Sequence, residues 1–493
     1  MSADRPAWTG RRLHFVGVGG AGMSAYARAA HALGAQVSGS DAAASVYTRE
    51  LAADGVLDPQ IGHAAANVPP GDDVELVYSS AVEFDNVERA AARARGLSER
   101  PRAELLAELS ALRRTIAVAG THGKTTTASM TVHALRAAGL DPGWLIGGSI
   151  APGEPNASWR ESEWLVVEAD ESDRSMLSLD VDVAVLTNVE LDHHATFSSL
   201  ADLREAFAAF LARARRAVVV WDRPDVVSLL DRDLCAEPDA DADADADADP
   251  DYGAHDVDGD ADVDADAVGG SRAEVVRFDV AAPELDADGA RFQWRDEPVR
   301  LAVPGAHNAL NAAAALEAAR LAGADARAAV AGLAGFRGAG RRFQLLGETA
   351  RGAHVYDDYA HHPTEVAATL AGARTLAPAR LIAVFQPHLY SRTRLLAREF
   401  GRALAAADVI VVLDVYAARE LAAEHPGVSG LAIAEAAVDA AAGRPVYWLP
   451  SFDDAEPVLA ELLERGDMCV AMGAGDIDAL ARTLTGTGRL VVE

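Results

Sequence analysis

Cysteine is nearly absent from this chain of 493 residues: Cys235 and Cys469 are the only two. Two distant thiols give neither a disulfide framework nor a thiolate metal cluster, and they suit a reducing compartment. Long apolar runs are missing as well. Half of the residues are apolar, yet no run approaches the roughly 20 needed to cross a bilayer, which argues against membrane insertion and for a soluble protein. The amino terminus, Met1-Ser2-Ala3-Asp4-Arg5-Pro6, lacks the apolar core of a secretory signal, so a cytoplasmic location is expected. Basic charge is scarce too: 44 Lys and Arg face 75 Asp and Glu, for a net charge of -31. Such an acidic balance argues against nucleic acid as a partner.

Much of that charge is local. From Glu237 to Asp266 the chain carries Glu237 and 13 aspartates with no Lys or Arg, which is -14 and leaves -17 for the rest. The alternating Asp-Ala run from Asp239 to Asp249 repels itself and has no apolar surface to bury, so residues 236–270 read as a disordered surface insert. Asp256-Val-Asp-Gly-Asp260 superficially resembles a calcium loop but lacks its glutamate and flanking helices.

What is present is chemistry at strand ends. Ile116 to Ala119 reads as a short buried strand, Gly120-Thr121-His122-Gly123 as a turn, and Lys124 opens a segment with helical spacing through Leu135. Strand, glycine turn, lysine, hydroxyl and helix make a phosphate cradle. Backbone N–H groups face an anion, Lys124 reaches the β and γ phosphates, and Thr125 can ligate Mg²⁺. Val118 occupies the position where a standard loop has its first glycine, so this is a shortened variant, Gly-x-x-Gly-Lys-Thr.

Upstream, a strand at Leu13 to Val18 runs into Gly17, Gly19 and Gly22, which fit Gly-x-Gly-x-x-Gly ahead of an alanine-rich helix, and a second strand ends at Asp41. This opens a doubly wound nucleotide site, for either a nicotinamide dinucleotide or a nucleotide sugar. Ser79 and Ser80 end the strand Val74 to Tyr78 and would face the same crevice, with His63 a weaker candidate. Downstream, the strand Trp164 to Val167 runs into Glu168-Ala169-Asp170-Glu171-Ser172-Asp173. Four carboxylates within six residues repel unless cations sit among them, and a Mg²⁺-phosphate site is the economical explanation. Asn188, Asp192, His193 and His194 follow the strand Val181 to Leu186.

A glycine-rich linker, Gly335 to Gly340, precedes a last segment in which strands alternate with helices, implying a parallel sheet. The expected organisation is α/β with three domains, at 1–113, 114–338 and 339–493.

Taken in order, eight stretches resemble the Mur ligases: His14-Phe-Val-Gly-Val-Gly-Gly-Ala-Gly-Met23, Gly120-Thr-His-Gly-Lys-Thr-Thr-Thr127, Glu168 to Asp173, Thr187-Asn-Val-Glu-Leu-Asp-His193, His307-Asn-x-x-Asn-Ala312, Arg341-Arg-Phe-Gln-Leu-Leu-Gly347, Asp357-Asp-Tyr-Ala-His-His-Pro-Thr364 and Phe385-Gln-Pro-His388. The resemblance implies a Rossmann-like domain for a UDP-sugar, a central P-loop-type ATP domain and a Rossmann-like carboxy-terminal domain that admits an amino acid. It implies UDP-N-acetylmuramate, ATP and L-alanine as substrates, Mg²⁺ as cofactor, and a monomer or weak homodimer.

Carried over residue by residue, Gly17, Gly19, Gly20, Gly22, Met23, Asp41, Ser79 and Ser80 would bind the sugar nucleotide. Gly120, Thr121, His122, Gly123, Lys124, Thr125 and Thr126 would bind ATP, with Asn311 on adenine, Asp358 on ribose and Arg342 on phosphate. Thr125, Glu168 and His193 would hold the metal, and His194 duplicates His193, so spacing leaves both imidazoles open. Tyr359, His361, His388 and Arg392 would face the amino acid. Leu389 stands where many members have arginine, which leaves the alanine carboxylate to Arg392.

The implied chemistry transfers the γ-phosphoryl of ATP to the lactyl carboxylate, and the alanine amine then displaces phosphate, with His361 accepting a proton. Lys124, Glu168, His193 and His361 are the expected catalytic residues. A dinucleotide oxidoreductase would account for Gly17, Gly19 and Gly22 but not for Lys124 and the acidic clusters. A non-catalytic regulator would account for the cradle but not for the amino-acid pocket. A ligase that adds a preformed tripeptide to the same sugar nucleotide is the nearest rival, and Gly19-Gly20-Ala21-Gly22-Met23 argues against it.

Overall fold

The computed structural model describes residues 7–151, 153–194, 196–230 and 273–486; the acidic run and Cys235 lie outside them. The amino-terminal part comprises β1 (Arg12–Val16), α1 (Ala21–Ala32), β2 (Gln36–Asp41), α2 (Val46–Ala53), β3 (Gln60–Ile61), β4 (Val74–Tyr78), α3 (Val87–Ala94), β5 (Ser98–Pro101) and α4 (Arg102–Ala111). Its sheet is parallel, in the order β3-β2-β1-β4-β5. Chain direction around the sheet switches beside β1, and the glycine loop that follows β1 lies at that switch point.

The central part contains β6 (Arg114–Ala119), α5 (Lys124–Ala137), β7 (Gly143–Leu145), β8 (Ala157–Ser158), β9 (Trp164–Glu168), β10 (Val183–Leu186), α6 (Leu200–Leu211), β11 (Ala217–Trp221), α7 (Pro224–Val227) and β12 (Glu274–Phe278). The order is β12-β11-β10-β6-β9-β7-β8, parallel except for β8. β6 is a middle strand, and Ile116 to Ala119 are fully buried, as both-face coverage requires of an apolar run. An antiparallel sheet of β13 (Glu284–Asp286), β14 (Gly289–Trp294) and β15 (Glu297–Leu301) follows, then α8 (Ala306–Leu321) and α9 (Ala326–Ala334). Both helices pack on α5. Small residues permit that: a Cβ on Gly332 would lie 2.6 Å from the Ala137 Cβ.

The carboxy-terminal part runs through β16 (Gln344–Glu348), β17 (His354–Asp358), α10 (Pro363–Thr375), β18 (Leu381–Phe385), α11 (Tyr390–Leu404), β19 (Val409–Val412), α12 (Leu431–Ala440), β20 (Val446–Trp448), α13 (Phe452–Leu462), β21 (Met468–Met472) and α14 (Ile477–Leu484). Its order is β16-β17-β21-β18-β19-β20. The alternation of strands and helices predicts an all-parallel sheet, and β16 departs from it by pairing antiparallel with β17. Only a short turn joins those two strands, and a parallel pairing would need a long crossover. The glycine-rich linker also differs from a loose tether: Phe336 and Ala339 are buried, and the Gly340 N–H donates to the Ser149 carbonyl at 2.8 Å. Among the described residues no helix is long and apolar enough to cross a membrane. Cys469 is buried in β21, and burial pushes its thiol up to about 12, so it is unreactive.

Candidate active site

The loop between β6 and α5 needs its glycines. Gly120 and Gly123 have φ of 129° and 81°, and a Cβ would lie 2.1 Å from Thr187 Oγ1 at the first and 2.5 Å from Asn311 Oδ1 at the second. Thr187 and Asn188, at the end of β10, fix the turn: both donate to the His122 carbonyl, at 2.6 and 2.9 Å, and Asn188 Oδ1 accepts from the His122 N–H at 2.9 Å. Lys124 folds over this loop, donating to the carbonyls of Gly120 (2.7 Å) and Thr121 (3.1 Å) and to Glu171 (2.9 Å). Burial alone would strip its charge, but Glu171, with Asp170 and Glu168 nearby, raises the ammonium above its ordinary pKa.

The acidic run divides in two. Asp170 and Asp173 receive Arg102 from α4, at 3.1 and 2.6 Å, so a protein cation and not a metal accounts for that half of it. Glu168 and Glu171 remain. The Thr125 hydroxyl lies 3.0 Å from both Glu168 oxygens, and the Gly147 N–H donates to Glu168 at 2.7 Å. Burial raises the Glu168 pKa against the pull of Lys124. Glu171 is fully buried, and its Oε2 has no hydrogen-bond partner. Glu168 beside the Thr125 hydroxyl, and buried Glu171 with one orphaned oxygen, are hard-oxygen donors of the kind that suits Mg²⁺. His193 Nε2 lies 3.4 Å from Glu171 Oε1, whereas His194 Nε2 is buried without a partner. The imidazole beside Glu171, the carboxylate that receives Lys124, is thus that of His193, and among the described contacts none joins it to Glu168.

From Lys124 a line of polar contacts crosses to the carboxy-terminal part. Glu171 leads to His193, His193 to Asp192 (4.0 Å), Asp192 to Arg392 (2.7 Å), and Arg392 donates to His388 Nδ1 at 3.3 Å. Arg392 and Asp192 are each about 4% exposed, so the guanidinium expected to receive the alanine carboxylate is already engaged. Tyr359, His361, His388 and Tyr416 form a row, with ring centroids 5.3, 6.1 and 5.9 Å apart. Burial lowers His361 to about 4 and His388 to about 3, so both imidazoles are neutral. His361 Nδ1 lies 2.9 Å from the Tyr359 carbonyl and is the donor there, which leaves Nε2 as the accepting nitrogen.

A cavity of about 530 Å³ lies between the central and carboxy-terminal parts. His122, Gly123, Thr126, Asn311, Arg342 and Asp358 line it, and Lys124 and Thr125 sit next along the same loop. The Arg342 guanidinium reaches Thr125 Oγ1 at 3.4 Å. Asp358 accepts from the N–H groups of Phe343 (2.7 Å) and Ala360 (2.8 Å) and from Thr369 (3.2 Å), and burial raises it to about 6. His122, Glu190 and His362 hold their ligating atoms within 4.8 Å of one another, but both Glu190 oxygens are taken, by His122 (2.8 Å) and by Thr364 (2.7 Å).

The glycine loop after β1 is separate from this cavity. Gly19 donates to Asp41 Oδ2 at 2.7 Å, so Asp41 braces the loop; Gly17 faces Ser79, Gly20 caps α1, Ser80 is exposed, and Met23 is buried in the core beneath. A Cβ on Gly22 would lie 2.8 Å from Arg102, which links this loop to Asp170. Asn156 bridges to Ser24 at 2.9 Å, and the Tyr47 hydroxyl donates to the Gly147 carbonyl at 3.3 Å. The sequence did not single out Arg102, Tyr47, Glu190 or Glu365. Only Glu365 had a local signal, a glutamate three residues after a helix-capping position.

Residues 12–114 match the Mur ligase family catalytic domain, 118–319 the Mur ligase middle domain and 341–475 the Mur ligase glutamate ligase domain. The UDP-N-acetylmuramate--L-alanine ligase of Kineococcus radiotolerans is 44% identical over 471 residues, 94% of each chain. That of Thermobifida fusca is 42% identical over 486 residues, 95% of each chain. The chain belongs to the Mur ligase family. The crystal structure of UDP-N-acetylmuramate-alanine ligase from Thermotoga maritima shares this Mur ligase fold, with a TM-score of 0.75 at 24% identity over 96% of this chain and 98% of that one. A murein peptide ligase from Psychrobacter arcticus shares it at a TM-score of 0.67 and 24% identity, over 98% and 100% of the two chains.

Proposed function

We propose that this Mur ligase joins L-alanine to UDP-N-acetylmuramate with cleavage of ATP to ADP and phosphate, in the cytoplasm. The observation that carries the reading is the line of contacts from Lys124 to His388, which joins a phosphate loop to a pocket of neutral rings. High identity to ligases of that name over nearly the whole chain supports it. In this reading residues 1–113 bind the sugar nucleotide, 114–338 bind ATP and 339–493 admit the amino acid.

A carboxylate and an ammonium do not condense in water at neutral pH, because each is in its unreactive state. Phosphorylating the lactyl carboxylate supplies a leaving group. Lys124 faces the anions that meet in this step, and Glu171 fixes its ammonium. Thr125, Glu168 and His193 would hold Mg²⁺, which when bound offsets phosphate charge. His122, Gly123 and Thr126 cradle the nucleotide, Asn311 faces adenine, and Arg342 faces phosphate. Asp358 braces Phe343, Ala360 and Thr369 and presents the remaining lone pair of Oδ2 to ribose. The amine of L-alanine must arrive unprotonated, and a neutral His361 offers Nε2 to its proton, while Tyr359 and His388 enclose the small side chain. With Arg392 engaged by Asp192, its part in binding the alanine carboxylate is indirect, through His388.

Phosphate release, measured with ATP, UDP-N-acetylmuramate and in turn L-alanine, glycine, L-serine and the cell-wall tripeptide, tests the reading. Release that is fastest with L-alanine is expected; release with the tripeptide alone would replace this reading with that of a recycling ligase.

A further inference from the structure

Glu365, at the start of α10, was not singled out by the sequence, yet it touches several parts of the machinery. Its Oε2 accepts from the N–H groups of His361 (3.0 Å) and His362 (3.3 Å) and faces His361 Nδ1 at 3.2 Å. Its Oε1 faces His122 Nδ1 at 3.4 Å and Arg342 at 3.9 Å. One largely buried carboxylate therefore meets the phosphate loop, a phosphate-facing arginine and the amino-acid pocket. The His122 side chain is gripped from its other edge by Glu190 at 2.8 Å, and Glu190 accepts from the Thr364 hydroxyl of α10. The backbone of the same histidine is pinned by Asn188, so His122 cannot follow α10 without moving the loop.

We propose that Glu365 is a positioning residue: acting through His122, it makes the placement of the phosphate loop depend on the docking of α10 and of the pocket that α10 carries. The inference rests on the ligase reading given above. Glu365 is held well below the usual carboxylate range by His361, His122 and Arg342, although burial opposes this, so it meets His122 as an anion. The groups that face His122 are Glu190 from the end of β10, Glu365 and His362 from the start of α10; burial opposes its charge, and the two carboxylates raise it to about 9.

Glu365→Gln keeps an oxygen for the helix cap and removes the charge. In the full chain, the His122 imidazole is followed by NMR titration in wild type and in Glu365→Gln, and turnover is measured for Glu365→Gln, His122→Ala and the double variant. His122 is expected to titrate well above 6.5 in the wild type and at least one pH unit lower in Glu365→Gln. Each single variant is expected to lose about tenfold in kcat/KM for ATP, and the double variant no more than the worse single. An unmoved His122 titration, or losses that multiply, would overturn the proposal. A wild type that releases no phosphate with L-alanine would instead sink the ligase reading, and the titration would still decide the role of Glu365.

Discussion

Lys124 and His388 are both largely withdrawn from water, and the line of contacts between them joins the central part to the carboxy-terminal part, yet desolvation leaves the first charged and the second neutral. The difference lies in the partners. Around the phosphate loop of the central part the cations meet opposite charges: Lys124 meets Glu171, Arg102 of α4 meets Asp170 and Asp173, and His122 meets Glu190 and, from α10, Glu365. On the carboxy-terminal side His388 is faced by His361 and the Arg392 cation, which add to the cost of protonation. Desolvation is common to both; the compensating charge is not. That division suits a reaction that gathers phosphate anions at one end and must keep an amine unprotonated at the other.

The largest effect should come from breaking the charged side. Lys124→Ala removes the one ammonium over the loop, and a loss of about a hundredfold to a thousandfold in kcat is expected, with a thermal melt close to that of wild type. A rate within tenfold of wild type in the phosphate-release assay would show that the loop is not where phosphate charge develops.

The junction between the two sides is next. Arg392→Met leaves Asp192 buried without its cation, which costs roughly 3–5 kcal/mol in comparable pairs. A lowered thermal midpoint is expected, with most of it recovered when Asp192→Asn is added. If Arg392→Met alone melts like wild type, the two sides are not joined through this pair.

The histidines should then give opposite slopes of stability against pH. His122 has a raised folded pKa, near 9, so its contribution is complete below about 6.5 and is lost as pH rises through 9. His361 and His388 are depressed, to about 4 and 3, so theirs is complete above about 6.5 and is lost as pH falls toward those values. Each effect should be on the order of 1 kcal/mol or more. Melting curves across pH should lose the alkaline decline in His122→Gln and part of the acid decline in His388→Phe; a variant that keeps its slope would unseat the histidine concerned.

The two sides were not equally legible in the sequence. Lys124 and Thr125 were singled out because a strand, a glycine turn and a helix announce themselves within a dozen residues, and Glu168 because four carboxylates crowd the end of a strand. The carboxy-terminal side was read from short polar clusters at strand ends, and the partners there come from far away: Asp192 for Arg392, and His122 for Glu365. Pairing across such separations leaves no local pattern, so the sequence offered Arg392 as a free cation and passed over Glu365. The same reason hid Arg102, whose claim on Asp170 and Asp173 removes half of the charge that had seemed to require a metal. β16 was missed because an antiparallel edge strand after a linker has no helix to frame it.

The smallest effect belongs to the amino-terminal part. Tyr47, in α2, donates to the carbonyl of Gly147, and the N–H of that same residue donates to Glu168. Burial raises the phenol well above its ordinary pKa, so it stays a donor at any working pH. The α2 cap, Ser45, in turn donates to the Gly19 carbonyl of the glycine loop, at 2.9 Å. The glycine loop proposed to hold a sugar nucleotide and the carboxylate proposed to hold Mg²⁺ are therefore both tied to the first turn of one short helix, the former by one hydrogen bond and the latter by two. Tyr47→Phe deletes only the hydroxyl, about 1 kcal/mol, so a threefold to tenfold rise in KM for UDP-N-acetylmuramate or in the Mg²⁺ requirement is expected, with KM for L-alanine unchanged. A change confined to L-alanine would mean that α2 reports to the neutral side, and the division between charged and neutral regions would need redrawing to include it.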